Sequence, residues 1–302
     1  MLAIIAPGQG AQTSGMLSTW AGDAQLEKLL RRWSDVIELD LLRLGISADA
    51  EEIKDTANAQ PLIVATSLIA AHALAVKNVA VVSGHSVGEL SAAAISGAIS
   101  PEDALTLVRA RGVEMAKAAA LHPTGMSAVL GGDRNEVVAA IKSLGLVAAN
   151  ENGAGQIVAA GDLTALATLA ENPPPGARVR ALAVAGAFHT SFMSPAVEPL
   201  RAISKGITAH NPHIPVIANK DGAVINDGAD IVARIINQIA HPVRWDLCMD
   251  SLESMGITGV IELAPAGTLV GLLKRAHPHI ESFALKSADD LSAAREFAGR
   301  HA

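Results

Sequence analysis

The residues that could do chemistry gather first at Gly84-His85-Ser86-Val87-Gly88. The apolar run Val79–Val82 precedes them and a helix-forming stretch follows, which is the G-x-S-x-G pattern of a nucleophile elbow. Such a turn lifts the Ser86 hydroxyl above the end of a strand. Glycine is needed on both sides because a side chain there would meet the tight backbone or the next helix. The turn also aims the Val87 N–H, at a helix N-terminus, toward an anion forming beside the hydroxyl. A hydroxyl nucleophile with such a donor is equipped to attack an ester or thioester carbonyl.

A serine needs a base, and ten histidines compete for the part. His189 stands just beyond a predicted strand, in Gly186-Ala187-Phe188-His189-Thr190, where a loop can return it to the elbow. His85 adjoins Ser86 but points the other way along an extended backbone. His72 falls inside an apolar helix and reads as a core residue. His210 and His213 straddle a proline with no third ligand nearby, so no metal site is expected. His241, His277, His279 and His301 lie in loops or near the end of the chain.

One cation stands out. Ser100-Pro101-Glu102-Asp103 opens a helix that runs to about Ala120, with an apolar stripe at Ala104, Val108, Met115 and Ala119. Arg111 falls in line with that stripe, while Arg109 points well away. A guanidinium on a core-facing edge needs a partner. Either a glutamate of the fold pairs with it, or it clamps a substrate carboxylate with two parallel hydrogen bonds. Pro7-Gly8-Gln9-Gly10 follows a buried strand at Leu2–Ala6. A dinucleotide fingerprint would need glycine at Thr13, so these glycines instead let backbone and the Gln9 amide approach a site at the strand's carboxyl end.

Composition narrows the function. Of 302 residues 50% are hydrophobic, with no Tyr, four Phe and three Trp, so a large aliphatic core is expected. The net charge of −7, without a dense basic run, argues against nucleic acid. The single cysteine, Cys248, excludes an intramolecular disulfide and fits a reducing, cytoplasmic setting. Leu2–Ala6 is too short for a signal peptide, and the apolar stretch Leu62–Val76 is interrupted by Thr66, Ser67 and His72, so no membrane span is expected.

These residues must be held by an α/β fold with a mostly parallel sheet. Asp23–Glu38 and Ala48–Asp55 read as helices, and Gln60-Pro61 opens a long apolar helix with Pro61 in its first turn. Between Met126 and Phe188 the order is strand Met126–Leu130, helix Asn135–Leu144, strand Leu146–Asn150, strand Gln156–Ala160, helix Leu163–Glu171 and strand Arg178–Ala183. That βαββαβ order is ferredoxin-like. The expected organisation is a catalytic domain from 1–124 and 190–302 with an inserted subdomain over 125–189. Met193–Ile203 and Ala229–Ile239 read as helices, and Val216–Ala218 and Val260–Glu262 as strands of the larger sheet.

Four separated segments together resemble the malonyl-CoA:acyl-carrier-protein transacylase family. They are Pro7-Gly8-Gln9-Gly10-Ala11-Gln12, Gly84-His85-Ser86-Val87-Gly88-Glu89, Arg109-Ala110-Arg111-Gly112 and Ala187-Phe188-His189. Gln60-Pro61, Gln156-Ile157-Val158, Asn219 and the stretch from Gln238 to Trp245 also fit, so the resemblance runs along nearly the whole chain. It implies a hydrolase-like α/β core carrying an inserted ferredoxin-like subdomain. It implies that Ser86 takes the malonyl group as an ester, and that His189 is base and then acid. The N–H groups of Gln9 and Val87 would form the oxyanion hole, and Arg111 would bind the malonate carboxylate. A main-chain carbonyl at Gln238 would hold the histidine in place of a triad acid, and no Asp or Glu between Ser86 and His189 stands out for that part. Gln60, His85, Phe188, Asn219 and Val243 match substrate-pocket positions. Phe188 and Val87 resemble the malonyl-selective form, whereas Gly186 stands where relatives often carry a larger or polar residue.

The reaction so implied moves malonyl from malonyl-CoA to the phosphopantetheine thiol of acyl carrier protein, for fatty-acid or polyketide synthesis. No metal or cofactor is needed, because coenzyme A and the pantetheine arm are substrates, and a monomer suffices. Two rivals stand beside it. A serine esterase or thioesterase on the same elbow would have no use for a buried Arg111. A non-catalytic carrier-docking module would be free to lose Ser86 or His189.

Overall fold

The N-terminal strand β1 (Leu2–Ala6) is buried along its whole length, as suits an aliphatic strand of a parallel sheet covered on both faces. In chain order there follow α1 (Ala24–Ile37), α2 (Leu41–Ile46), α3 (Thr56–Leu74), β2 (Val79–Gly84), α4 (Gly88–Ile95) and α5 (Pro101–Ala119). Next come β3 (Thr124–Gly131), α6 (Arg134–Ser143), β4 (Val147–Glu151), β5 (Gln156–Asp162), α7 (Leu163–Glu171) and β6 (Ala177–Ala181). The chain continues with α8 (Val197–Ser204), β7 (Val216–Ile217), β8 (Val224–Ile225), α9 (Gly228–Gln238), β9 (Val243–Arg244) and α10 (Trp245–Ser254). It ends with β10 (Gly259–Glu262), α11 (Thr268–Ala276), β11 (Glu281–Ala284) and α12 (Leu291–His301). The computed structural model describes all residues, Met1–Ala302.

The larger sheet has the order β11-β10-β1-β2-β7-β8 and is parallel except for the β7–β8 pair. Ala6 lies opposite Gly84, so the Pro7–Gln9 loop and the elbow leave adjacent strands side by side at their carboxyl ends. Open α/β sheets place ligands there. The smaller sheet has the order β6-β3-β5-β4-β9. Its first four strands are antiparallel, in the ferredoxin-like arrangement, and β9 adds to β4 in parallel. The small sheet therefore takes a strand from far down the chain.

Two local expectations need correction. Ala48–Asp55 holds only a single 3-10 turn, Glu52–Lys54, while the helix lies earlier, at α2. Asp49 and Asp55 divert the chain: Asp49 accepts the Glu52 N–H, and Asp55 caps the next helix through the Ala57 N–H. That cap starts α3 at Thr56, so Pro61 lies inside the helix rather than in its first turn. Pro61 has no N–H for the Ala57 carbonyl four residues back. Arg109 Nη1 supplies the missing donor, 2.8 Å from that oxygen. Gly112 keeps the two helices close at this point, since a Cβ there would fall 2.8 Å from the Thr56 carbonyl oxygen. Helix α3 is long and apolar enough to cross a bilayer by composition, yet 72% of its apolar window is buried within the fold.

Candidate active site

The elbow is enforced by packing. A Cβ on Gly84 would collide with the Gly88 backbone, and one on Gly88 with the carbonyls of Ala6 and Pro7. Ser86 itself holds φ 54°, a left-handed conformation that costs a serine roughly 1–3 kcal/mol and persists only where the surroundings over-determine it. Asn219 is one such surrounding. Its Oδ1 accepts the Ser86 N–H at 2.7 Å, and its Nδ2 donates to the Gly84 carbonyl at 2.8 Å. The N–H groups of Val87 and Gln9 donate to no acceptor within the chain.

His189 reaches the elbow from the loop after β6. Its Nε2 lies 2.7 Å from Ser86 Oγ, and its Nδ1 lies 2.9 Å from the Gln238 carbonyl oxygen. An imidazole whose Nδ1–H is given to a carbonyl presents a lone pair at Nε2, the tautomer a base requires. Like Ser86, His189 has a positive φ, 61°. Burial, with the nearby Arg111 charge, pushes its pKa down to about 3, so the ring is neutral at ordinary pH.

Arg111 is 1% exposed and has no carboxylate in contact. Its Nη1 donates to Gln60 Oε1 at 2.7 Å, and its Nη2 donates to Gln238 Oε1 at 3.0 Å and approaches Ser86 Oγ at 3.4 Å. The Nε–H has no partner. Burial lowers its pKa to about 10, which still leaves it a cation. Of the two sequence readings of Arg111, the direct ion pair to a glutamate is absent.

A glutamate is nevertheless close, and it departs from the expectation that no acid between Ser86 and His189 stands out. Glu89, in the first turn of α4, is 4% exposed. Its carboxylate accepts the Asn219 N–H at 2.5 Å and Gln238 Nε2 at 2.6 Å. Burial raises its pKa from 4.5 to about 7, against the hydrogen bonds and the Arg111 charge. Gln238 therefore works twice: its main-chain carbonyl orients His189, while its side chain links Glu89 to Arg111. The signal for Glu89 was available, since it is the only charged residue of α4, a helix buried nearly all round.

The remaining pocket positions divide. Gln60, 1% exposed, holds Arg111, and its Nε2 donates to Gln9 Oε1 at 3.3 Å. His85 makes no hydrogen bond to Ser86. Its Nε2 meets Asn152 Oδ1 at 2.9 Å, and its ring meets Trp245 edge-on. Asn219 is fully buried behind the elbow and braces it, so it does not line a pocket. Val243 is also fully buried, packed with Trp245, Cys248 and Met249, because β9 is a sheet strand. Phe188 is buried in the main core. Gly186 lies against Ala119, whose Cβ would be 2.7 Å from any added Cβ, so a larger residue cannot stand there unless Ala119 moves. A cavity of about 1170 Å³ opens between α6, β4 and α9. It reaches Glu89 and Gln238 from behind, but neither Ser86 nor His189 lines it.

Residues 4–295 match the family described as "Acyl transferase domain". The malonyl CoA-acyl carrier protein transacylase of Mycobacterium tuberculosis is 50% identical over 296 residues, covering 96% of this chain and 98% of that protein. The protein of the same name from Bacillus subtilis is 31% identical, covering 97% and 96%. The crystal structure of MCAT from M. tuberculosis superposes with a TM-score of 0.94 at 50% identity, covering 98% of this chain and 99% of that one. A malonyl-transacylase solved in complex with a type II PKS acyl-carrier protein superposes at 0.93 with 29% identity, covering 98% and 99%.

Proposed function

This chain belongs to the acyl transferase domain family, among the malonyl CoA-acyl carrier protein transacylases, and from that premise we propose how its residues carry the reaction. It moves the malonyl group from malonyl-CoA to acyl carrier protein. Ser86 Oγ attacks the thioester carbonyl while His189 Nε2 takes its proton. The tetrahedral oxyanion is received by the free N–H groups of Gln9 and Val87, each such donor being worth about a hundredfold or more in rate. Collapse breaks the C–S bond, and His189 returns the proton to the departing coenzyme A thiolate. The malonyl ester on Ser86 then meets the pantetheine thiol. The same steps run in reverse order, with the thiol losing its proton to His189 and Ser86 regaining one.

The observation that carries this reading is the 2.7 Å contact from Ser86 Oγ to His189 Nε2, with Arg111 Nη2 at 3.4 Å from the same oxygen. A cation without a paired acid, beside the nucleophile, suits an acyl group that bears its own carboxylate. A malonate would replace the neutral amide oxygens of Gln60 or Gln238 with a charge-assisted pair. His85, held by Asn152 and Trp245, would form one wall of the entrance. Glu89 is a positioning residue, holding Gln238 and Asn219 and through them the base and the elbow.

We read residues 1–124 with 190–302 as the catalytic domain and 125–189 as the inserted unit, with β9 stitching the two together. The thioester supplies the driving force, so the reaction needs no metal or cofactor. The single buried cysteine suits a cytoplasmic protein. Mass spectrometry after mixing with malonyl-CoA tests the scheme. A stable malonyl adduct on Ser86 is expected. A transient adduct would favour the esterase reading, and none at all would favour a docking module.

A further inference from the structure

Away from Ser86, four side chains meet where the last turn of α10 faces the turn between α11 and β11. His277, Pro278, His279 and Ile280 form a tight turn closed by the Ile280 N–H on the His277 carbonyl, with proline at its second position. The turn sets both imidazoles on one side, with centroids 6.1 Å apart. Glu253 lies between them. Its carboxylate is 3.2 Å from His277 Nδ1 and 3.1 Å from His279 Nε2. On the far side, His277 Nε2 lies 3.2 Å from Asp250.

The proton count is informative. A neutral imidazole has one N–H and cannot donate to carboxylates at both ring nitrogens. His277 is 8% exposed and faces an acceptor at each nitrogen, so one of the two contacts needs a further positive charge. A divalent cation at Nδ1 satisfies both at once. It is bound by the Nδ1 lone pair, and Nε2–H is then free for Asp250, the carboxylate–histidine–metal arrangement that orients a ligating ring. The distances fit as well. The donor atoms of Glu253, His277 and His279 all lie within 4.8 Å of one another. Metal–ligand bonds of 2.0–2.2 Å in a tetrahedron place donors about 3.4 Å apart.

We propose that Glu253, His277 and His279 form a binding site for zinc or a similar late first-row divalent ion, with Asp250 orienting His277. The site leaves a fourth position to solvent and cross-links α10 to the turn that leads into the edge strand β11. This departs from the expectation of no metal, which looked for spacing along the chain. Here two ligands come from one turn and the third from a helix more than twenty residues earlier.

Zinc titration of chelator-stripped protein by calorimetry tests it. One saturable zinc per chain is expected, together with a rise in melting temperature. Glu253→Gln and His279→Ala should each abolish the site or weaken it at least about tenfold, and Asp250→Ala should weaken it about tenfold or more through the loss of its orienting contact. His279 is largely exposed, so its truncation leaves the packing intact. A His210→Ala/His213→Ala variant should bind as wild type. No saturable zinc, or equal affinity in wild type, Glu253→Gln and His279→Ala, overturns the proposal and leaves a protonated histidine bridging two acids.

Discussion

Replacing Glu89 by glutamine tests the site at its least obvious member. The change keeps the shape but swaps one carboxylate oxygen for an NH2. The Asn219 N–H can still be accepted, at 2.5 Å in the parent, by the remaining oxygen. The new NH2 then faces Gln238 Nε2, donor against donor, where a 2.6 Å charge-assisted bond stood. Such a bond contributes about 1.5–3 kcal/mol. If its loss is felt in the transition state through His189 and Arg111, kcat/KM falls between about tenfold and a hundredfold, at 1.36 kcal/mol per decade. Stability should move the opposite way. Burial holds Glu89 at about 7 against 4.5 unfolded. The folded chain therefore keeps a proton that the unfolded chain gives up between those values, and stability is lost as pH rises from 4.5 to 7. The loss is on the order of 3 kcal/mol. Glutamine has no such titration, so the variant should gain on wild type as pH rises from 4.5 to 7 and hold that gain at higher pH. The wild-type rate should also show an acidic limb near pH 7 that the variant lacks, because His189 stays neutral down to about 3. Malonyl transfer kinetics and melts from pH 5 to 9 provide both readouts. An unchanged kcat/KM with the same acidic limb would refute the reasoning.

Ser86→Ala should abolish the malonyl adduct and leave the melting temperature nearly unchanged, and an adduct persisting on another residue in mass spectrometry would remove Ser86 as nucleophile. Arg111→Ala should lower kcat/KM for malonyl-CoA at least about a hundredfold, the order expected when a charged hydrogen-bonded pair is lost. Activity with acetyl-CoA should hold or rise, because the cation that depresses His189 is gone; equal losses with the two substrates would make Arg111 structural. Arg178 and Arg180, exposed on β6, and Lys274 and Arg275, exposed on α11, make no ion pair. Reversing the pair that meets the carrier should raise KM for carrier but not for malonyl-CoA, with the effect fading as salt is added; unchanged carrier kinetics in both double variants would end that idea.

The contact of Ser86 with His189 is legible in the sequence because each residue has a local mark: glycines that only a tight turn requires, and a histidine just past a strand. The βαββαβ order was legible for a similar reason, since short strands and helices alternate cleanly between Met126 and Phe188. Gln238 could not be read from its own residue type, because any residue presents a main-chain carbonyl. Only resemblance pointed there. The burial of Asn219 behind the elbow and of Val243 in the core is a consequence of packing, which residue type alone does not reveal. Glu89 was hidden by its position. An acid in the first turn of a helix reads as an ordinary partner for the helix dipole, and that reading masks the other signal, a lone charge in an otherwise apolar helix. Pro61 was misplaced because proline favours a first turn, and the competing cap at Asp55 lies five residues earlier than the one it would imply.

That proline has a genetic consequence. The Ala57 carbonyl lacks a helical donor because of Pro61 and takes one from Arg109, so Arg109 becomes dispensable at this carbonyl once residue 61 carries an N–H. Losing Arg109 should therefore cost most while Pro61 is present, and a revertant screen begun from an Arg109 defect should return changes at position 61. Gly112, about one turn beyond Arg109 on the same helix, lies against the same stretch of backbone. Helices α3 and α5 thus share one hereditary unit, spelled by Pro61 on the first and by Arg109 and Gly112 on the second. Arg111 and Gln60 belong to the same seam, so the site inherits its geometry from it.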